Sequence, residues 1–234
     1  MIRIENVEIS GWKAAIRGMR NPMNSWKLSD SYETHIEDPQ TLETAPYAFF
    51  VGEKDLALMK KLSAAGPDHG KFLRFITVTM DITAPLYWWK EYDTYKVGTV
   101  ANSCSTMHKI HAKEFTLDDF SHEHLVNQVS GEYKSSTAGT ECFGTYCARP
   151  MEILRGTIAT LNKCREKFLE TKSKDVWWQM IQLLPTSYNQ RRTVQLNYEV
   201  LRNMYHARKN HKLDEWVEFC KWIEELPHFK EICM

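Results

Sequence analysis

Residues 69–108 read HGKFLRFITVTMDITAPLYWWKEYDTYKVGTVANSCSTMH, and in them a strand signal runs directly into a helix signal. Residues 75–83 are β-branched and aromatic with partial alternation, which predicts a strand. Thr83 then offers a hydroxyl as a helix N-cap, with Pro85 in the first turn and an aromatic run behind it. Residues 96–108 are small and polar, which predicts a loop that lies against a ligand.

Two further elements are predicted before this stretch. Residues 2–9 come close to period-two alternation of apolar side chains, which indicates an edge strand or a half-buried strand. Residues 55–65 carry apolar side chains at helical spacing until Gly66-Pro67 ends the pattern. We therefore expect a strand at the N-terminus and a short amphipathic helix after residue 54.

Between these two elements, residues 17–47 show little periodicity and many turn-forming residues. They predict a loop-rich connector. The basic start of this connector, Arg17 and Arg20, is placed to face an anion.

The C-terminal half is mainly helical in pattern. Residues 151–168 predict a long amphipathic helix, residues 177–184 a second helix that ends at Pro185, and residues 196–208 and 213–226 two more. Helix dominates over strand, so the predicted fold class is α+β. No repeat and no linker rich in Pro, Gly or Ser divides the chain, and we predict a single domain over residues 1–234.

Composition narrows the class of protein. The 234 residues are 43% hydrophobic and carry 30 basic against 30 acidic side chains, as expected of a packed globular chain. The sequence shows no apolar run long enough to cross a membrane, and it shows no signal peptide. Zero net charge argues against nucleic acid as a partner. The six cysteines stand singly in apolar segments, which predicts free thiols in a reducing cytoplasm.

Charge is nevertheless uneven near the C-terminus. Residues 186–212 hold six basic side chains against Glu199, a net charge of +5, and residues 213–234 have a net charge of −4. Two solvated faces that pair with each other are one interpretation. A phosphate site is the other, because guanidinium groups match phosphate oxygens. Asn197 and Arg208 fall on one face of the predicted helix, and Arg202 lies well away from them.

Other common sites receive no support from the sequence. Four histidines at 108, 111, 122 and 124 are irregularly spaced, and Cys142 and Cys147 lack a second pair, so we predict no metal site. The glycine-rich phosphate loops and the GxSxG elbow are also missing.

Two separated stretches resemble the flavin-dependent thymidylate synthase (ThyX) family. In the first, residues 69–74 are similar to its GHxSxxEH segment, residues 82–96 to its strand-to-helix turn, and residues 98–108 to its RHRxxSxNExS signature. In the second, Leu184-Pro185 is followed by Asn197, Arg208 and His211, in the order of the family's Leu-Pro pair, Asn and Arg-rich stretch.

The resemblance implies a helix-rich protomer with a small antiparallel sheet that assembles into a homotetramer. FAD lies between subunits in this family, and a pyrimidine nucleotide, dUMP, stacks on its ring. The flavin, reduced by NADPH, transfers one carbon from methylenetetrahydrofolate to C5 of the uracil. The protein side chains orient and polarise the pyrimidine, and no protein nucleophile is required.

The resemblance also assigns roles to residues of this chain. It implies flavin or nucleotide contacts at positions that we group as cofactor-binding: His69, Arg74, Asn197 and Arg208. It implies a substrate-binding group of Lys96, Glu91, Arg202 and His211. Asn102 and Ser105 are the implied catalytic positions, where Ser105 would hydrogen-bond the base or phosphate and not attack it.

The chain departs from the family pattern at several of these positions. The family's Arg-His-Arg triplet is replaced by residues 94–96, Thr-Tyr-Lys, and Met107 replaces a signature Arg. Arg74 stands where the family has His, and Glu91 where it has Gln. Two hypotheses follow from the resemblance: a divergent FAD-dependent enzyme that methylates a pyrimidine nucleotide, and a ThyX-like protein that binds nucleotide or flavin after losing catalysis. A third hypothesis, a helical nucleic-acid-binding module that uses residues 186–212, is disfavoured by the neutral net charge.

Overall fold

The structure is a computed structural model that describes residues 2–34, 48–137 and 140–234. Over these residues the predicted α+β class is confirmed, with helices predominating over small antiparallel sheets. The helices are α1 (Trp12–Arg20), α2 (Glu53–Ala64), α3 (Leu86–Tyr92), α4 (Thr106–Lys109), α5 (Pro150–Thr171), α6 (Lys174–Leu183), α7 (Tyr198–Arg208), α8 (Asp214–Glu224) and α9 (Phe229–Cys233). The strands are β1 (Arg3–Ser10), β2 (Tyr32–Thr34), β3 (Ala48–Phe50), β4 (Thr77–Pro85), β5 (Thr99–Ser103), β6 (Val129–Thr137), β7 (Thr140–Ala148) and β8 (Asn189–Asn197).

The described chain divides into two compact units. The sheet unit contains Ile2–Thr83, Lys90–Asn102 and Arg192–Met234, and the hairpin unit contains Ala84–Trp89 and Ser103–Arg191. The single domain that we predict over the whole chain stays a prediction.

A four-stranded sheet of order β1-β4-β8-β5 organises the sheet unit. β1 lies at an edge, as its weak alternation predicts, and pairs antiparallel with β4 from Arg3 opposite Thr83 to Ser10 opposite Thr77. In β4 the alternate residues Val78, Met80 and Ile82 are buried, because side chains at every second position of a strand share one face.

Aromatic side chains fill much of the core of this unit. Tyr198, at the start of α7, has its ring centroid 5.4 Å from that of Trp12 in α1 and 5.6 Å from that of Phe229 in α9. All three rings are buried, and burial of such large apolar surfaces contributes about 1.5–3 kcal/mol per side chain. These contacts hold α1, α7 and α9 together.

A buried ion pair joins α1 to α2. Arg20 and Asp55 are 5% and 0% exposed, and Nη2 of Arg20 lies 2.6 Å from Oδ1 of Asp55. Oδ2 of the same carboxylate accepts hydrogen bonds from the hydroxyls of Ser29 and Ser31 at 2.6 and 2.7 Å. Burial alone would raise the pKa of Asp55, but the hydrogen bonds from Ser29, Ser31 and Arg20 outweigh it and the pKa is lowered.

The hairpin unit is built on two packed helices and a two-stranded ribbon. α5 begins with Pro150 at its first position, a residue pre-set for a helix start, and its buried Leu154 and Leu161 pack against Met180 of α6. β6 and β7 pair antiparallel from Val129 opposite Ala148. The sequence pattern did not predict this ribbon.

The predicted connector over residues 17–47 is wrong in its first part. α1 continues through Arg20, and two short 3₁₀ helices follow at Asn21–Met23 and Trp26–Leu28 before β2. The helix extends past Arg17 because Ile16 and Met19 bury one face of it against the core, which local turn propensity does not reveal. Residues 35–47 of the predicted connector lie outside the described residues.

Three predicted boundaries around the sheet also need correction. β4 extends through Pro85, so Thr83 is a strand residue and not the N-cap of α3. The polar stretch 96–108 is not a continuous loop, since it contains β5 and α4. β8 occupies 189–197, and the helix predicted from residue 196 begins only at Tyr198.

The structure also bears on the cysteine thiols, on membrane-spanning helices and on metal-ligating side chains. The described cysteine thiols at 104, 147, 164, 220 and 233 are free, as predicted. The helices of the described ranges include none that is long and apolar enough to cross a membrane. Side chains able to ligate a metal do not gather in groups of three or more anywhere in those ranges.

Candidate functional site

Three predicted site residues from distant parts of the sequence meet in the sheet unit. Glu91 lies in the last turn of α3, Arg208 is the last residue of α7, and His211 follows in the connection to α8. With Tyr95 and Trp216 they form a group that we call the Glu91 cluster. The structure thus brings together the two stretches that carry the family resemblance.

One carboxylate oxygen is the centre of the cluster. Oε2 of Glu91 lies 2.7 Å from Nη1 of Arg208 and accepts a hydrogen bond from Nε1 of Trp216 at 3.0 Å. Nε2 of His211 is 3.3 Å from the same oxygen. Nδ1 of His211 accepts from the backbone N–H of Leu213 at 3.1 Å, so Nε2 carries the ring proton and can donate even in the neutral imidazole.

Aromatic rings flank the guanidinium of Arg208. It lies 4.9 Å from the ring centroid of Trp216 and 5.7 Å from that of Tyr95, and Nε donates to the Tyr95 hydroxyl at 3.0 Å. The side chain is 20% exposed. Contacts of this kind with an aromatic face are worth about 0.5–2 kcal/mol and fix the plane of the guanidinium.

Sequence reasoning missed Tyr95 and Trp216 as members of this group. Tyr95 is visible in the sequence only as a departure from the family's histidine, although it stands four residues after Glu91. Trp216 belongs to the apolar spacing of α8, so the sequence predicts a core residue, and the side chain is fully buried. Its indole N–H could be assigned to Glu91 only from tertiary structure.

Arg74, a predicted flavin contact, is in a separate ion pair. Its Nε and Nη2 lie 2.6 and 3.1 Å from the two carboxylate oxygens of Glu199 in the first turn of α7. The hydrogen bonds that Arg74 donates to the Glu199 carboxylate raise the pKa of the Arg74 guanidinium. The side chain is nevertheless 54% exposed, and Nη1 lies outside this bidentate pair.

Asn197 acts as a helix cap in the structure. Its Oδ1 accepts the backbone N–H of Val200 at 3.1 Å, which satisfies one of the free donors at the start of α7. Because Asn197 precedes the helix with extended backbone angles, the prediction that Asn197, Arg202 and Arg208 lie in one helical segment is wrong for Asn197. The cap also aligns α7, which carries the other two.

Arg202 lies on a different part of α7 from Arg208. Its Nη1 donates to the hydroxyl of Ser63 at 3.2 Å, and it lines a cavity of about 280 Å³ with Lys60 and His206. The Nε2 atom of His206 is 3.1 Å from the carbonyl oxygen of Cys233. Arg202 is therefore placed apart from the Glu91 cluster, as its helical offset predicts.

The other predicted positions are at the surface of their units. His69 precedes the 3₁₀ helix Gly70–Phe75, and Lys96 and Asn102 lie before and within β5; all three are exposed. Ser105 belongs to the hairpin unit and is the N-cap of α4, where its hydroxyl accepts the backbone N–H of His108 at 3.0 Å. As a local cap, this hydroxyl has a structural use that the family signature does not indicate.

Two arginines of the cationic block 186–212 form ion pairs with carboxylates in the middle of the chain. Arg192 pairs with Asp93 at 2.7 Å and Arg208 with Glu91, also at 2.7 Å. The two carboxylates stand two residues apart, at positions 91 and 93. The interpretation in which the block pairs with the acidic segment 213–234 does not describe these two contacts.

Comparison with known proteins identifies the fold. No protein-family model matches the chain, and no curated protein matches it in sequence. Two solved structures of ThyX from Helicobacter pylori with FAD and dUMP superpose with TM-scores of 0.64 at 14% identity, one covering 100% of this chain and 97% of that chain, the other 99% of each. A UMP/dUMP methylase, PolB from Streptomyces cacaoi, solved with 5-Br dUMP, gives a TM-score of 0.54 at 13% identity over 96% of this chain and 88% of its own. The chain therefore has a ThyX-like fold.

Proposed function

We propose that this protein is a divergent ThyX-like enzyme that binds FAD and a pyrimidine nucleotide and transfers one carbon to C5 of the base. One observation carries the proposal: the fold matches that of a ThyX crystallised with FAD and dUMP over essentially the whole length of both chains. The two sequence stretches that resemble the family lead to the same site, because they supply Glu91 and Arg208.

The residues present are compatible with a flavin. An FAD diphosphate requires cationic or polar donors, and Arg74 is half-exposed with Nη1 outside its pair with Glu199, while His69 is exposed nearby in sequence. These two side chains would hold the cofactor, and Asn197 would act mainly by aligning α7 as its cap. When bound, FAD would supply the redox chemistry of the transfer, with NADPH as reductant and methylenetetrahydrofolate as carbon donor.

The nucleotide would be held by side chains of the Glu91 cluster and of residues 96–102. Arg208 and His211 offer donors for carbonyl or phosphate oxygens, and Lys96 adds an exposed positive charge. Asn102 would orient the base through hydrogen bonds of its side-chain amide. In this proposal the chain binds, orients and polarises the pyrimidine without a covalent step of its own.

A second function is favoured by one contact. The Glu91 carboxylate occupies Nη1 of Arg208 and places a negative charge beside the donor that a nucleotide anion would use. Such a closed pair is compatible with a ThyX-like protein that retains binding of nucleotide or flavin and has lost catalysis. We keep this function as the alternative.

Release of tritium from [5-³H]dUMP tests the proposed reaction directly. The purified protein would be assayed with FAD, NADPH and methylenetetrahydrofolate, with a matched reaction lacking folate. Folate-dependent release supports the enzyme. Stoichiometric binding of FAD and dUMP without release supports the alternative, and absence of binding contradicts both.

Assembly and location are part of the same proposal. FAD would lie between subunits of a homotetramer, in a cytoplasmic protein that acts on a small-molecule substrate. Light scattering of the purified protein tests the assembly, since a tetramer has about four times the chain mass of 27.5 kDa. A monomeric mass in the presence of FAD would contradict it.

A further inference from the structure

A cleft at the end of α1 is lined by none of the residues that the proposed function uses. It has a volume of about 360 Å³ and is lined by polar residues, Glu33 among them, and by a group of four, Arg17 and the aromatic residues Trp26, Tyr32 and Phe49. We call these four residues and the space between them the aromatic cleft. A second cavity, of about 660 Å³, shares Arg17 and Phe49 with it.

Among the basic residues that line this cleft, Arg17 is the one whose positive charge can attract a bound anion. Arg20 is neutralised by Asp55 at 2.6 Å, and Lys13 by Glu33 at 2.7 Å. Arg17 is exposed in the last turn of α1 and has no carboxylate partner among residues 2–34, 48–137 and 140–234. Of the two arginines that the sequence suggests could face an anion, only Arg17 is therefore positioned to do so.

The rings provide an apolar surface that the fold leaves partly uncovered, since Tyr32 stacks on Phe50 on one face only, with ring centroids 5.3 Å apart. Trp26 is 48% exposed and Tyr32 58% exposed. The indole N–H of Trp26 already donates a hydrogen bond to Oδ1 of Asn21 at 2.8 Å. A ligand would therefore contact the face of the indole ring and would not accept a hydrogen bond from it. Exposed aromatic faces beside a free guanidinium favour a ligand that has both a ring and a negative charge.

From this geometry we propose that the aromatic cleft binds a small aromatic anion, a molecule of one or two rings that carries one carboxylate or phosphate group. The ring packs among Trp26, Tyr32 and Phe49, and the anionic group is bound by Arg17. Both anionic groups match a planar guanidinium, and a cleft of this size lies at the small end of ligand sites, which span about 300–1,000 Å³. This site does not depend on the proposed flavin chemistry.

Isothermal titration calorimetry with four probes tests the assignment. The probes are 2-naphthoate, 1-naphthyl phosphate, the neutral 2-naphthol and inorganic phosphate. Both aromatic anions should bind with 1:1 stoichiometry, and more tightly than 2-naphthol or inorganic phosphate. The tighter of the two anions then identifies the natural ligand as a carboxylate or a phosphate.

Variants assign the binding to the cleft. Arg17→Gln should weaken both aromatic anions by about tenfold or more, as loss of a charge-assisted hydrogen bond requires, and leave 2-naphthol unchanged. Trp26→Ala should weaken all three aromatic probes. Lys27→Gln, a neighbouring exposed cation outside both cavity linings, is the matched control and should change none of them.

Three results would overturn the proposal. They are absence of saturable binding of the aromatic anions, wild-type affinity in Arg17→Gln, and inorganic phosphate binding as tightly as naphthyl phosphate. The titrations are repeated with saturating FAD, and unchanged affinity supports a separate site, whereas displacement by FAD contradicts it. Failure here leaves the tritium-release result unaffected, so the two proposals are tested independently.

Discussion

Oε2 of Glu91 lies 2.7 Å from Nη1 of Arg208, across 117 residues of sequence. The pair joins the end of α3 to the end of α7 and is flanked by the rings of Tyr95 and Trp216. It has opposite consequences for fold and function. It holds the guanidinium in a fixed plane, and it also neutralises the charge that an incoming anion would meet.

Glu91→Gln should therefore tighten the binding of dUMP. The amide keeps an oxygen that can accept from Arg208 and removes the negative charge, and it restores the residue type of the family pattern. We expect a gain of up to about fivefold, since partly exposed ion pairs are worth about 0–1 kcal/mol. Calorimetric titration with dUMP measures it, with exposed Glu225→Gln as the control. Weaker binding of dUMP by Glu91→Gln than by the wild type would contradict the neutralising role of Glu91.

Arg208→Ala should weaken binding of nucleotide or flavin by about tenfold or more, with a much smaller effect on the melting temperature. Stability should be largely kept because Glu91 is 34% exposed and retains Trp216 and His211 as neighbours. Parallel ligand titration and thermal unfolding check this, and Lys209→Ala is the matched control. If the variant unfolds readily but retains affinity, Arg208 is a structural residue.

Asp55→Asn should destabilise the protein by about 3–5 kcal/mol at neutral pH, since it leaves buried Arg20 without its counter-charge. Urea unfolding measures the difference. Asp68→Asn removes a carboxylate that is 94% exposed and should change stability by less than about 1 kcal/mol.

The effect of Asp55 should also depend on pH. Its pKa is lowered from the ordinary value of 3.8, so its contribution is complete above that value and is lost as pH falls through the lower pKa of the folded state. The stability gap between wild type and Asp55→Asn should therefore narrow below about pH 4. A gap that stays constant down to pH 3 would contradict the lowered pKa.

Two glycine substitutions should have opposite signs. Gly11 has φ of +90°, and a Cβ there would lie 1.8 Å from the carbonyl oxygen of Phe75, so Gly11→Ala should lower stability by at least about 1–3 kcal/mol. Gly156 lies inside α5, and a Cβ there meets nothing within 4 Å. Gly156→Ala should raise stability by about 0.5–1 kcal/mol. Differential scanning calorimetry distinguishes the two, and destabilisation by Gly156→Ala would contradict the open space beside it.

Elements with a strong hydrophobic period could be predicted from the sequence. β4, α5 and α8 each bury one face, and their apolar spacing identifies them. β8 could not be recognised, because its sequence NQRRTVQLN is mostly polar and its last apolar residue continues into the spacing of α7. Its strand structure comes from its place beside β4 in the sheet, which is a tertiary effect.

Only part of the candidate site could be predicted from the sequence. Family resemblance selected Glu91, Arg208 and His211, and the structure brings these together. It could not identify Tyr95 and Trp216, because their contacts with Arg208 arise only when α3, α7 and α8 pack. Periodicity also gives no sign that Asn197 and Ser105 act as caps, since a cap requires a defined helix start.

The flavin content of the purified protein tests whether this chain uses its ThyX-like fold to bind FAD. We expect a yellow purified protein, or a colourless one that takes up about one FAD per chain on titration, with the absorbance spectrum of a bound flavin. Arg74→Gln should reduce this uptake, and Lys27→Gln, which changes an exposed cation that is not among the proposed flavin contacts, should not. Colourless wild-type protein that cannot be loaded with FAD at any concentration tested, while remaining folded, would show that this chain is not a flavoprotein.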